Sequence, residues 1–147
     1  MDIEVKIDAS QSEPKVIIIT DKLTDKVQDI IAALENVTAP QVISGLSGDR
    51  VKILEQDKII RIYTDGGRIC ADTEEGRFIL RGRLYELEER LDKKTFVRIS
   101  NSEIINLKKT VGFDMSFVGT ICVTMSNGAV TYVSRRYVSK IKKILGV

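Results

Sequence analysis

From residue 3 the chain alternates, with Ile3, Val5 and Ile7 apolar and Glu4, Lys6 and Asp8 charged. That period of two predicts a strand with one buried face. Val16, Ile17, Ile18 and Ile19 form a continuous apolar run, the pattern of a more deeply buried strand. The period then changes. In KLTDKVQDIIAALEN, Leu23, Val27, Ile30, Ile31 and Leu34 recur at helical spacing and make one apolar stripe. Thr20 or Asp21 is the expected cap, and Asn36 and Pro40 mark the expected end. These elements predict a β-β-α lobe over residues 1–43. It is short for independent stability, so it is expected to pack on the following domain or on a partner chain.

From about residue 42 the texture becomes short strands separated by turn signals. IIRIYT and RICADT flank Asp65-Gly66-Gly67, and RICADT and RFILRG flank Glu74-Glu75-Gly76. FVGTICVTM and AVTYVS flank Ser126-Asn127-Gly128, where Asn127 and Gly128 both tolerate positive φ. RLYELEERL places Leu84, Leu87 and Leu91 along one side of a short helix. FVRIS and EIINL read as two more strands, interrupted by the polar run Ser100, Asn101, Ser102, Glu103. RRYVSKIKKIL predicts a closing helix, with Ser134 as N-cap and Val138, Ile141 and Leu145 turned inward. The expected fold class is α+β and mostly β. An antiparallel β domain with short peripheral helices occupies residues 44–147, preceded by the β-β-α lobe.

Composition narrows the function. The 147 residues are 43% hydrophobic and 30% charged, which fits a folded domain with a real core. No apolar run approaches the roughly 20 residues needed to cross a bilayer, and MDIEVK lacks the apolar stretch of a secretory signal, so a cytoplasmic protein is expected. The chain has no histidine. This removes Ser-His-Asp and Cys-His nucleophilic systems and nearly all His-containing metal sites. Cys70 and Cys122 form no CxxC and read as small buried hydrophobes, and no Gly-rich phosphate loop is present. The carboxylate pairs Glu74–Glu75 and Glu88–Glu89 lie in charged surroundings that predict ordinary acidity. The expectation is a protein that is not an enzyme and uses no cofactor or metal.

Charge is distributed unevenly. Residues 1–43 carry four Lys against eight Asp and Glu, whereas residues 44–147 carry nineteen Lys and Arg against thirteen acids. No acid follows Asp114, and the tail holds Arg135, Arg136, Lys140, Lys142 and Lys143. Such one-sided basic charge suggests a polyanion partner for the larger part. A basic last turn also complements a helix macrodipole without any partner.

Three local motifs then carry a resemblance. FVRISNSEIIN is similar to a stretch of the form F-x-R-x-H-x-S-x-x-V-N, keeping Phe96, Arg98, Ser102 and Asn106, with Ile105 for the valine. GRLYELEERL precedes it as a hydrophobic helix, and GAVTYVSRRYVSKIKKIL follows as a strand, S-R-R-Y and helix. Residues 44–147 thus resemble the LytTR-type DNA-binding domain of bacterial transcription regulators. The resemblance implies a β domain that lays loops, rather than a recognition helix, onto double-stranded DNA. It places Asn101 and Arg136 at base-contacting positions. In the hairpin around TDGGR it puts Gly67 where a longer polar side chain is usual, leaving neighbouring Arg68 as the substitute. Ser100 stands where the family usually has His.

Physical chemistry supports those roles. An Asn amide can satisfy adenine bidentately, and an Arg fork suits guanine O6 and N7. Arg98, Ser100, Ser102, Lys108, Lys109, Ser134, Arg135 and Lys140 are the expected backbone and loop contacts, supplying affinity more than discrimination. Residues 1–43 are too short for a phosphorylated receiver domain, the family's commonest attachment. A homodimer contact through the acidic lobe is expected instead, and the resemblance also implies control by a membrane-protein partner in standalone members. The main rival is a protein-interaction or inhibitory module whose N-terminal lobe binds a partner. A small enzyme is disfavoured by the missing histidines, and RNA binding by the scarcity of aromatic platforms.

Overall fold

The computed structural model describes residues 1–38 and 42–147, except the side chains at 36 and 38. It divides into two compact units, Met1–Ala39 and Pro40–Val147.

In the first unit the stripe beginning at Leu23 becomes helix α1 (Asp25–Thr38). The Thr24 hydroxyl accepts from the Val27 N–H at 3.3 Å and so starts the helix, in place of Thr20 or Asp21. Pro40, the expected terminator, lies outside the described residues. The two expected strands do not form: residues 3–7 and 16–19 belong to no sheet. Their sequence has strand periodicity, but a strand exists only as half of a ladder, and this unit supplies no ladder. The Asp8 carboxylate accepts from the backbone N–H and hydroxyl of Ser10, at 2.9 and 2.7 Å, and turns the chain there. The lobe is therefore one helix after an irregular segment, not β-β-α.

Among its described residues the second unit holds ten strands and two α-helices. These are β1 (Ile43–Ser47), β2 (Arg50–Leu54), β3 (Ile59–Asp65), β4 (Arg68–Thr73), β5 (Gly76–Leu80), α2 (Leu84–Arg90), β6 (Phe96–Ser100), β7 (Glu103–Asn106), β8 (Thr110–Asp114), β9 (Ile121–Met125), β10 (Val130–Val133) and α3 (Arg135–Leu145). Seven strands make one antiparallel sheet in the order β2-β1-β5-β4-β3-β7-β6, and β10-β9-β8 make a second. The expected hairpins appear with their turns in place. Asp65 pairs with Arg68 across Gly66 and Gly67, whose φ values of 58° and 77° suit the tight two-residue turn. In the Ser126–Gly128 turn only Gly128 takes positive φ; Asn127 instead accepts the Ala129 N–H on its side chain. The alternation in β6 and β7 feeds two cores. Phe96 and Ile104 join Ile62, Phe78, Leu84, Leu87 and Leu91 on one face of the large sheet, under α2. Val97, Ile99 and Ile105 face the other way, against Ile121, Val123, Met125 and Val133 of the small sheet and Ile141 of α3.

Candidate nucleic-acid interface

Strand direction decides which loops meet. β3 ends at Asp65 where β7 begins, with Tyr63 opposite Glu103, and the Thr64 N–H donates to the Ser102 carbonyl at 2.9 Å. The Gly66-Gly67 hairpin therefore runs beside the Ser100–Ser102 loop. On the other side, the Ser134 N–H donates to the Ile99 carbonyl at 2.9 Å, which seats the start of α3 against the end of β6. The Tyr137 hydroxyl, one turn into that helix, donates to the Asn101 side-chain oxygen at 3.3 Å. Three segments distant in sequence thus converge at one end of the large sheet. They carry Arg68, Asn101, Arg135 and Arg136, all exposed.

The central loop is braced from within. Arg98, expected as a phosphate contact, has its guanidinium committed inside the fold. Its Nε donates to the Ser100 carbonyl at 2.6 Å, Nη2 to the Asn101 carbonyl at 2.7 Å, and Nη1 to the Glu88 carboxylate at 2.7 Å. The Ser100 and Ser102 hydroxyls lie 3.2 Å apart, and the Ser102 N–H donates to the Ser100 hydroxyl. Both carbonyls and both hydroxyls are thereby tied down, and the Asn101 amide stands at the exposed tip with its oxygen accepting from Tyr137.

Below the loop lies a charged cluster. Arg61 donates to Asp72 at 2.8 Å, and Tyr63 donates to the same carboxylate at 3.0 Å. Glu103 is buried, accepts from the Thr131 hydroxyl at 2.9 Å, and stands 3.7 Å from Arg61. Its Oε2 has no hydrogen-bond partner. Burial pushes the Glu103 carboxyl above the usual range, against the pull of Thr131 and Arg61. Burial also acts to lower Arg61, but its bond to Asp72 and the charges of Glu103 and Asp72 outweigh that and hold it raised. The two shifts follow the geometry: Arg61 is well served by Asp72, while Glu103 is only partly compensated.

Other expected contacts fall elsewhere. Lys108 and Lys109 follow β7, so they lie at the opposite end of the large sheet from Asn101. Lys109 is bound to Glu74, whose acidity it strengthens, so that carboxylate is not ordinary as expected. Lys140 is exposed and, four residues beyond Arg136, shares its face of α3. Ser134 sits at the N-cap position of α3, but its side chain makes no capping bond.

The sequence assigns no site role to Tyr137 or Gly119, and Glu88 enters it only as half of a surface carboxylate pair. Tyr137 stands four residues before Ile141, the spacing that turns it inward toward the β6 end. Gly119 takes a φ of 74°, which L side chains rarely adopt, and its backbone lies beside the Arg135 guanidinium. Neither Glu88 nor Gly119 carried a local signal, because both contacts depend on tertiary pairing.

Comparisons with known proteins agree with this architecture. The LytTr DNA-binding domain family matches residues 49–146. Uncharacterized HTH-type transcriptional regulators from Staphylococcus aureus strains NCTC 8325 and MRSA252 are 31% and 30% identical over 147 residues, covering 100% of this chain and 99% of theirs. A LytTr DNA-binding domain from Bacillus cereus superposes with a TM-score of 0.70 at 24% identity, covering 74% of this chain and 100% of that one. In the matched region of this chain α2 and α3 are separated by β6–β10, so no helix-turn-helix forms there. No helix among the described residues is long and apolar enough to cross a membrane. With its antiparallel β domain, its three converging loops and the family match over most of its length, the chain belongs to the LytTr DNA-binding domain family.

Proposed function

We propose that the protein is a sequence-specific transcription regulator that reads double-stranded DNA from loops of its β domain. The observation that carries this is the meeting of Arg68, Asn101 and Arg136 at one end of the large sheet, with Asn101 held out on a braced loop. Asn101 supplies adenine discrimination and Arg136 guanine discrimination, with Arg68 as a third reader from the neighbouring hairpin. Arg135, Lys140 and the lysines at the end of α3 neutralise phosphates and supply salt-dependent affinity. The uncapped Ser134 hydroxyl and the Arg135 and Arg136 N–H groups that open α3 suit a phosphate. Arg98 acts differently from a phosphate contact, by fixing the shape of the reading loop.

The test is selection from a random duplex-DNA pool at near-physiological salt, with the wild type and Asn101→Ala/Arg136→Ala in parallel. An enriched motif that is lost with the double variant supports both the function and the reading residues. A motif that survives in the variant moves base reading elsewhere, first to Arg68. No enrichment with the wild type overturns the reading in favour of a protein-interaction module.

A further inference from the structure

Beside the Gly66-Gly67 hairpin, one face of the large sheet sets three arginines around two aspartates. Asp65 of β3 lies opposite Arg68 of β4, Arg61 of β3 opposite Asp72 of β4, and Asp72 also opposite Arg77 of β5. Residues paired this way, or two apart on one strand, share a face. Arg61 keeps its facing partner, donating to Asp72 at 2.8 Å, and the Tyr63 hydroxyl donates to the same carboxylate at 3.0 Å. Arg77 does not bond to Asp72. Its guanidinium carbon instead lies 5.5 Å from the centre of the Tyr63 ring, and its Nη2 donates to Asp65 at 2.7 Å and to the Cys70 sulfur at 2.9 Å. Cys70 is buried, so it gives that nitrogen a fixed second acceptor and keeps the guanidinium against Asp65. Arg68, directly across from Asp65, makes no ion pair or side-chain hydrogen bond among the described residues.

We infer that Arg77 is a positioning residue for base reading: by occupying Asp65 it keeps that carboxylate from capturing Arg68, and so leaves the Arg68 guanidinium free for DNA. The inference rests on the reading of Arg68 proposed above. Opposite charges directly across an antiparallel pair attract, so without Arg77 the Asp65 carboxylate has Arg68 as the cation facing it. A captured Arg68 has its fork turned to a carboxylate and not to a base edge. Exposed ion pairs are weak, so the capture is partial and Arg68 divides its time between Asp65 and DNA. A phosphate contact by Arg77 makes a different prediction. It would add affinity for every duplex alike, with no dependence on Asp65 or on the base that Arg68 reads.

The experiment reads a ratio by fluorescence anisotropy at fixed salt. It is the affinity for the selected duplex over that for the same duplex changed at the base whose preference Arg68→Ala erases. Arg77→Ala should lower this ratio about two- to fivefold. In the Asp65→Asn background, where no carboxylate remains to capture Arg68, adding Arg77→Ala should leave the ratio as it was. The same holds in the Arg68→Ala background, where no reader remains to be captured. Thermal unfolding checks that each variant is folded at the temperature of measurement. A ratio unmoved by Arg77→Ala overturns the proposal, as does a loss that persists in the Asp65→Asn background, or the absence of any base preference that depends on Arg68. A second arm contains no DNA. NMR of the Arg68 side-chain Nε–H in the free protein should show slower exchange with water in Arg77→Ala than in wild type, and no slowing in Arg77→Ala/Asp65→Asn. Slowed exchange without any selected motif sinks the DNA reading and leaves the contest for Asp65 standing. Unchanged exchange with a clear motif sinks the contest and leaves the DNA reading standing.

Discussion

The Thr131 hydroxyl donates to the Glu103 carboxylate across 2.9 Å, a bond from β10 of the small sheet to β7 of the large one, beside the Asn101 loop. Glu103 is buried and its second oxygen is unsatisfied, so its ionised form is poorly supported there. A carboxyl whose folded-state value is raised stabilises the fold fully below its unfolded value, and that contribution is lost as pH rises through the folded value. Glu103→Gln keeps an acceptor for Thr131 and removes the titration. The stability gap between variant and wild type, from urea unfolding at about pH 4 to 8, should shift toward the variant as pH rises. A gap independent of pH would show that Glu103 ionises without penalty.

Arg98 gives a sharper contrast, because two roles make different predictions. Its three donor nitrogens already serve Ser100, Asn101 and Glu88. A lysine ammonium cannot span those acceptors in one plane. Arg98→Lys should therefore cost about 1–2 kcal/mol of stability through lost hydrogen bonds. It should also weaken specific binding, while the slope of log affinity against log salt stays that of the wild type. Were Arg98 a phosphate contact, Arg98→Ala would instead reduce that slope by about one. Titration of affinity against salt for both variants separates the two.

Asn101 and Tyr137 should be coupled through their 3.3 Å hydrogen bond. Asn101→Ala is expected to cost about 1–3 kcal/mol on the selected DNA and little on unrelated duplex. Tyr137→Phe should cost less, about 0.5–1 kcal/mol, since it frees the amide without removing it. In the Asn101→Ala background Tyr137→Phe should add nothing. A double-mutant cycle by fluorescence anisotropy reads this directly, and additive losses would mean that the two side chains act separately.

Local patterns sufficed where a residue's partner was near in sequence. The glycines after Asp65, the alternation in β6 and the stripe of α3 each specify their element through neighbours a few residues away. Other features escaped because their partners are distant. β8, whose outward residues Val111 and Gly112 break a clean alternation, is defined by pairing with β9 and not by its own pattern. Residues 3–7 show the reverse case, a clear strand pattern with no strand, because periodicity says which face is apolar and nothing about who pairs with it. At the site, Asn101 and Arg136 were legible as surface residues in recognisable motifs. That Arg98 points inward, and that Lys108 and Lys109 lie at the far end of the sheet, depends on strand direction and tertiary packing.

Asn106 tests whether fold and reading loop separate. It is fully buried, donates from Nδ2 to the Ile59 carbonyl at 2.8 Å and accepts the Lys108 N–H at 2.9 Å, which fixes the far end of β7 to the start of β3. Asn106→Ala strands both backbone groups beside a small void and should cost about 2–4 kcal/mol. Asn106→Asp still accepts from Lys108, but as a carboxylate it faces the Ile59 carbonyl oxygen with nothing to donate. Protonation restores the donor, so this variant's deficit relative to wild type should shrink as pH falls toward 4 and widen toward neutrality. Thermal unfolding across that range reads the effect. Because the Asn101 loop lies at the other end of β7, both variants should keep the wild-type DNA motif at temperatures where they remain folded. A changed motif would mean that the two ends of the strand are coupled.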